Sequence, residues 1–239
     1  ASDWSSDVCS SDLLALRACR APLRHFETNR HESCGLDVIR AFLAVELSQE
    51  LRAGLTTIQQ ELKRKIETGM SRNTRISWVQ PSSIHLTVKF LGDMDEQALD
   101  PLLVAVTHAI GNQPAVNVPL DRLGAFPRPQ SPRVLWAGPS ENWERGAEAR
   151  RMMEIHGVIE QACEGVGFLR ETKVFSPHLT LARIRLGERY VGIALTQSGV
   201  LDRPVSVGSL AVESVVLMKS ELRPTGSVYT KLWEVRLQG

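Results

Sequence analysis

Apolar and polar positions along this chain follow two rhythms, and these predict most of its elements. From Val38 to Glu46 the residues are almost all apolar, the pattern of a buried strand. Leu51, Leu55, Ile58, Leu62 and Ile66 then recur at helical spacing, with Ser48 placed to cap the helix they predict. Ile76–Val79 reads as a short strand, Pro81 as a turn, and Ile84–Gly92 as an alternating strand with one buried face. Past Gly92 a second helical stretch runs to about Ile110, with Asp93 and Glu96 at capping-box spacing. Pro101 interrupts it: either the helix kinks there, or Asp100 caps a later helix that has Pro101 at its first position. Val116–Leu123, Arg133–Gly138 and Val174–Ile184 are further strands, and a Pro-punctuated turn separates the first two. Asn142–Val166 is a helix with Met152, Ile155, Ile159 and Ala162 on its apolar side. A variable connection then leads to strands Leu210–Met218 and Tyr229–Leu237. The order β-α-β-β-α-β-β-α-β with trailing strands, rich in adjacent strands, predicts an α+β fold with antiparallel sheets rather than a doubly wound parallel one.

Two of these strands carry near-copies of one polar motif, His85-Leu86-Thr87-Val88 and His178-Leu179-Thr180-Leu181. Side chains two apart on a strand share a face, roughly 6.6 Å apart. His85 and Thr87 therefore form a polar ledge opposite Leu86 and Val88, and His178 and Thr180 repeat it. Two such ledges, far apart in sequence, suggest related halves that bring two histidines together across a cleft. With an unperturbed pKa of about 6.5, one imidazole can serve as general base and the other as general acid. His108 and His156, both off the apolar helix faces, read as solvated helix histidines.

Composition removes several alternatives. A formal charge of +1 implies no basic sheath for long duplex nucleic acid. No apolar run approaches the roughly 20 residues that span a bilayer, and no leader with a basic start and apolar centre is seen, so a cytoplasmic location is expected. Of four cysteines, Cys9, Cys19 and Cys34 lie near the start and Cys163 reads as a small buried hydrophobe, so no disulfide framework is expected. Residues 1–35 contain a Ser-Ser-Asp repeat and few apolar groups; they are expected to be a disordered or artefactual extension ahead of a domain spanning 36–239. No Gly-rich phosphate loop is present. Zinc would need a third ligand, no Asp, Glu or Cys adjoins either motif on its polar face, and threonine is a poor zinc ligand, so neither metal nor cofactor is expected.

The chain resembles the 2H phosphoesterases, and among them the bacterial RNA 2',3'-cyclic phosphodiesterases, also called 2'-5' RNA ligases. Beyond the two motifs, the likeness runs through Ile39–Phe42, Trp78-Val79, Phe90–Gly92, Leu123–Pro127, Arg133–Gly138, Pro177–Arg183 and the Met218-Lys219-Ser220 to Tyr229 ending, over roughly residues 36–239. The resemblance implies two pseudo-symmetric lobes around a cleft and metal-independent hydrolysis of RNA 2',3'-cyclic phosphate ends. It further implies His85 as proton donor and His178 as acceptor, which the residues alone do not order, with a 2'-phosphomonoester as product and reversible 2'-5' ligation beside hydrolysis. Lys89 stands where many members carry Arg or another residue.

Thr87 and Thr180 are candidate donors to non-bridging phosphate oxygens. Arg183 and Lys89 are candidate substrate-binding cations, although strict alternation puts Arg183 opposite His178 unless a bulge intervenes. Phe90, Phe175 and Trp136 are candidates to stack a base. The expected partner is RNA ending in 2',3'-cyclic phosphate, bound by a monomer without a membrane. Two other readings stay open: a phosphodiesterase for small cyclic nucleotides or 2'-5' oligonucleotides, and a binding module for RNA or nucleotides without turnover.

Overall fold

The computed structural model describes residues 38–67, 74–224 and 226–238, and the expectation for residues 1–35 lies outside the described residues. In the first part of the chain are β1 (Val38–Val45), α1 (Gln49–Glu67), β2 (Arg75–Trp78), β3 (Leu86–Asp95), α2 (Leu99–Ile110) and β4 (Val116–Pro119). The second part holds β5 (Arg122–Phe126), β6 (Val134–Gly138), α3 (Glu141–Glu144), α4 (Ala147–Gly165), β7 (Leu179–Leu186), α5 (Glu188–Ser198), β8 (Ser209–Val212), β9 (Ser214–Arg223) and β10 (Gly226–Arg236).

The main sheet runs β10-β9-β1-β3-β7-β6-β5, with β2 also on β7, while β4 and β8 pair separately. Pairings between these strands are antiparallel, so the α+β expectation holds. Helices cover one face. Leu51, Leu55 and Leu62 of α1, Leu102 and Val106 of α2, and Met152 and Ile155 of α4 are buried in one core with the inward side chains of the sheet. A smaller cluster of Phe42, Ala44, Val216 and Met218, with Tyr229 packed on it, forms on the other face. Strands β1, β3, β9 and β10 make one half and β2, β5, β6 and β7 the other. The halves meet where Leu86 of β3 pairs with Leu179 of β7.

The Ser48 cap is present, its hydroxyl accepting from Leu51 N–H at 3.3 Å. Several boundaries differ from expectation. Strand β3 continues through Asp95, whose carboxylate accepts from Gln97 N–H at 2.9 Å and starts a single 3-10 turn before α2. The Asp93/Glu96 capping box therefore does not form, nor does Asp100 cap a helix. Pro101 falls in the first turn of α2, where a missing N–H leaves no helical bond unmade. The predicted 142–166 helix breaks at Arg145-Gly146 into α3 and α4, and Val116–Leu123 divides between β4 and β5. The variable connection contains α5, bounded by Gly187 at φ 85° and Gly199 at φ 58°. Its helical stripe is blurred because Tyr190 and Ile193 are exposed beside the buried Val191, Ala194 and Leu195. Cys163 is fully buried, as expected, and burial pushes its thiol up to about 12.

Candidate active site

Both His-x-Thr motifs sit where the halves join. Leu86 and Leu179, directly paired, turn into the core. Carried one residue either way, that antiparallel register sets His85 opposite Thr180 and Thr87 opposite His178, all on the other face. Each histidine thus has the other motif's threonine as its cross-strand neighbour. Away from this point β3 pairs with β1, and β7 with β6 and β2, which opens a cleft of about 350 Å³ lined by all four residues.

The histidines are held alike. His85 Nδ1 lies 2.8 Å from the Ser83 carbonyl, and His178 Nδ1 lies 2.7 Å from the Ser176 carbonyl. A carbonyl only accepts, so Nδ1 carries the hydrogen in both rings and Nε2 is the nitrogen that exchanges a proton. The Pro81–Ser83 turn presents the first carbonyl. The sequence signal was there to read: the twin motifs extend backwards to Ser83-Ile84-His85 and Ser176-Pro177-His178. Aromatic rings set the orientation. His85 stacks on Phe42 at 4.7 Å between centroids and meets the edge of Tyr229 at 5.2 Å. His178 packs edge-on to Phe126 at 5.0 Å.

The strands then bulge at matching places. Ala44 pairs with Thr87 and Leu43 with Lys89, leaving Val88 out; Trp136 pairs with Thr180 and Leu135 with Ala182, leaving Leu181 out. A bulge adds a residue and reverses which side chains face the cleft beyond it. Phe90 and Arg183, each five residues past its histidine, consequently line the cleft. Gln59 of α1 supports the second bulge, its Nε2 donating to the carbonyls of Val79 and Leu181, both at 2.8 Å. Nothing in the helical stripe marked Gln59, because its value lies in two carbonyls remote in sequence.

The first bulge removes Lys89 from the candidate substrate ligands. The residue is 1% exposed, and Nζ donates to both Glu160 carboxylate oxygens and to the Leu169 carbonyl, all at 2.9 Å. Glu160 also accepts from Glu171 N–H at 3.1 Å, so the pair pins the segment leading to the second motif. Trp136 is displaced from its proposed role too. At 7% exposure it lies across Gly124, where a Cβ would overlap its ring, and it packs under Phe126 and beside His178. Phe175 lines the cleft, but one of its faces is taken by His156, stacked at 4.2 Å and 9°.

His156 is therefore a packed residue, with a side chain 12% exposed, rather than a solvated one. Burial lowers its pKa below the ordinary 6.5, against the pull of Glu160. The folded protein keeps this ring neutral while the unfolded chain takes up a proton. Its contribution is thus complete above about pH 6.5 and is lost as pH falls through the lowered value. Urea titrations between about pH 5 and 7 are expected to show a stability decline that flattens in His156→Phe, which keeps the stacked ring; an unchanged decline would assign it to other groups.

Arg40, Lys173, Arg183 and Arg185 line the cleft against one carboxylate among the described residues, Glu171, a balance that suits an anion. Among the described residues, no group of three or more His, Cys, Asp or Glu is arranged to hold a metal ion, and no helix is long and apolar enough to cross a membrane.

A family described as LigT like Phosphoesterase matches residues 45–136. The chain is 33% identical over 199 residues to an RNA 2',3'-cyclic phosphodiesterase of Methanothermobacter thermautotrophicus, covering 83% of this chain and 99% of that one. It is 34% identical over 206 residues to the RNA 2',3'-cyclic phosphodiesterase of Thermus thermophilus, covering 84% and 91%. The crystal structure of E. coli LigT complexed with 3'-AMP matches with a TM-score of 0.63 at 22% identity, over 85% of this chain and 100% of that one, a likeness of fold.

Proposed function

This chain belongs to the LigT-like phosphoesterases, and from that premise we propose that it hydrolyses 2',3'-cyclic phosphodiester ends of RNA to 2'-phosphomonoesters. The observation that carries this reading is the pair of matched His-x-Thr ledges in one cleft, each imidazole tethered through Nδ1 to a backbone carbonyl. Such a pair supplies one base and one acid with fixed tautomers.

In the forward direction His178 Nε2 takes a proton from water as its oxygen attacks phosphorus. The bond from phosphorus to the 3' oxygen breaks, and His85 gives that oxygen its proton. Thr87 and Thr180 donate to the non-bridging oxygens, and Arg183 offsets the charge that builds there. With a 5'-hydroxyl in place of water as the nucleophile, the same histidine roles join two RNA ends through a 2'-5' linkage, and the roles exchange only when the 3'-hydroxyl attacks that linkage and expels the 5'-hydroxyl. The chemistry asks for no metal, and two imidazoles beside two threonines fall short of a zinc site's donor set. Action on RNA in the cytoplasm as a monomer belongs to the same proposal.

The test is incubation with an oligoribonucleotide ending in 2',3'-cyclic phosphate in excess EDTA, resolving the product as 2'- or 3'-phosphate. Conversion to the 2'-phosphate is expected. A 3'-phosphate product would overturn the assignment of the donor side, and loss of activity on chelation would overturn the metal-free mechanism. Binding without conversion would move the function to small cyclic nucleotides, 2'-5' oligonucleotides or a non-catalytic module.

A further inference from the structure

A buried cation in the cleft, that of Lys173, meets no hydrogen-bond partner among the described residues. Lys173 lines the same cavity as both histidines. Two other cations nearby are paired, Lys89 with Glu160 at 2.9 Å and Arg40 with Asp93 at 3.9 Å. The nearest acid in sequence, Glu171, is engaged by Phe90 N–H at 3.3 Å. An occluded ammonium without a partner is costly, and a fold that keeps one is less stable than it would be with an apolar side chain there. Lys173 also belongs to the stretch pinned at Leu169 and Glu171 by the Lys89–Glu160 pair, just ahead of the Ser176 carbonyl that orients His178. Its backbone is therefore held close to the reacting centre while its charge is left unmatched.

Resting on the function proposed above, we propose that Lys173 is a substrate-binding residue whose counter-ion is a phosphate of the RNA. The cyclic phosphate is a monoanion and the product phosphomonoester carries more charge, so the ammonium serves both. Unlike Arg183, it owes its position in the cleft to an anchored loop rather than to a strand bulge.

The test uses Lys173→Met, which keeps the aliphatic stem and removes the charge. Affinity for adenosine 2'-monophosphate, read by calorimetry, is expected to fall about tenfold to a hundredfold, the range for a hydrogen bond to a charged group. The melting temperature is expected to hold or rise, because a buried unmatched charge has gone. A structural lysine would do the opposite: unchanged affinity, or a variant that melts early or fails to fold, overturns the proposal. Turnover then identifies the phosphate. A raised KM for both a nucleoside 2',3'-cyclic monophosphate and a dinucleotide with the same end assigns the reacting group; a rise with the dinucleotide alone assigns the internucleotide phosphate. Wild-type protein that binds the 2'-monophosphate but turns over neither compound rejects the function above while leaving Lys173 to be judged by calorimetry.

Discussion

Alanine at His85 is expected to lower kcat on a cyclic-phosphate RNA end by about a hundredfold to ten-thousandfold, the usual contribution of a positioned acid or base. Alanine at His178 should cost as much, and the double variant little more than either single one, because the two groups act as a unit. The fold should survive both changes, since neither ring is in the buried core and each is held by contacts to its own neighbourhood, a backbone carbonyl and aromatic rings among them. Single-turnover rates together with circular dichroism melts make the measurement. Near-wild-type turnover in either variant would remove that histidine from the reaction, and melting far below wild type would return it to a structural role.

Removing Glu160 should produce the largest loss of stability from any single change discussed for this protein. Lys89 and Glu160 form a buried pair, with side chains 0% and 3% exposed. Breaking such a pair from one side strands the other charge in the interior, a cost of about 3–5 kcal/mol. For a chain of this size that lowers the melting temperature by about 6–20 °C. Glu160→Ala is therefore expected to melt early, and calorimetry measures it. Lys89→Met combined with Glu160→Leu removes both charges and should recover most of the loss, since apolar replacements for buried pairs are often neutral or better. The double variant should still turn over more slowly, because the Leu169 carbonyl and Glu171 N–H lose the groups that anchor the approach to His178. A Glu160→Ala protein as stable as wild type would show that the pair contributes little. Full activity in the double variant would show that the anchored segment does not position the second motif.

These two experiments probe different kinds of information in the chain. The twin motifs were legible because a strand's side-chain period is two and the neighbours of each histidine are apolar on one side only. That is local, so His85, Thr87, His178 and Thr180 could be assigned to polar faces without knowing what lay across from them. The shared cleft required one further fact, the pairing of Leu86 with Leu179, and the repetition of the motif hinted at it. The α+β class and helix α1 followed in the same way, from alternation, helical spacing and a capping serine.

Elsewhere the period failed, and tertiary structure decided. A bulge is set by which hydrogen bonds the neighbouring strand offers, a property of β1 for the first motif and of β6, with Gln59, for the second. Neither bulge can be read from the strand that contains it. The shift at Val88 sent Lys89 into the core and brought Phe90 to the cleft, while the shift at Leu181 brought Arg183 round to the cleft side. Trp136 was claimed by a vacancy at Gly124 on the adjacent strand, and Phe175 gave one face to a histidine from helix α4. Lys173 gave no signal in sequence, since an isolated lysine in a loop is normally solvated; only packing buried its Nζ away from a hydrogen-bond partner among the described residues. Order along the chain specified the two His-x-Thr motifs and the strand faces that carry them, because those depend on neighbours in sequence. The residues that surround those groups were left to the tertiary structure, because burial, bulges and ion pairs depend on partners that the chain brings together only by folding.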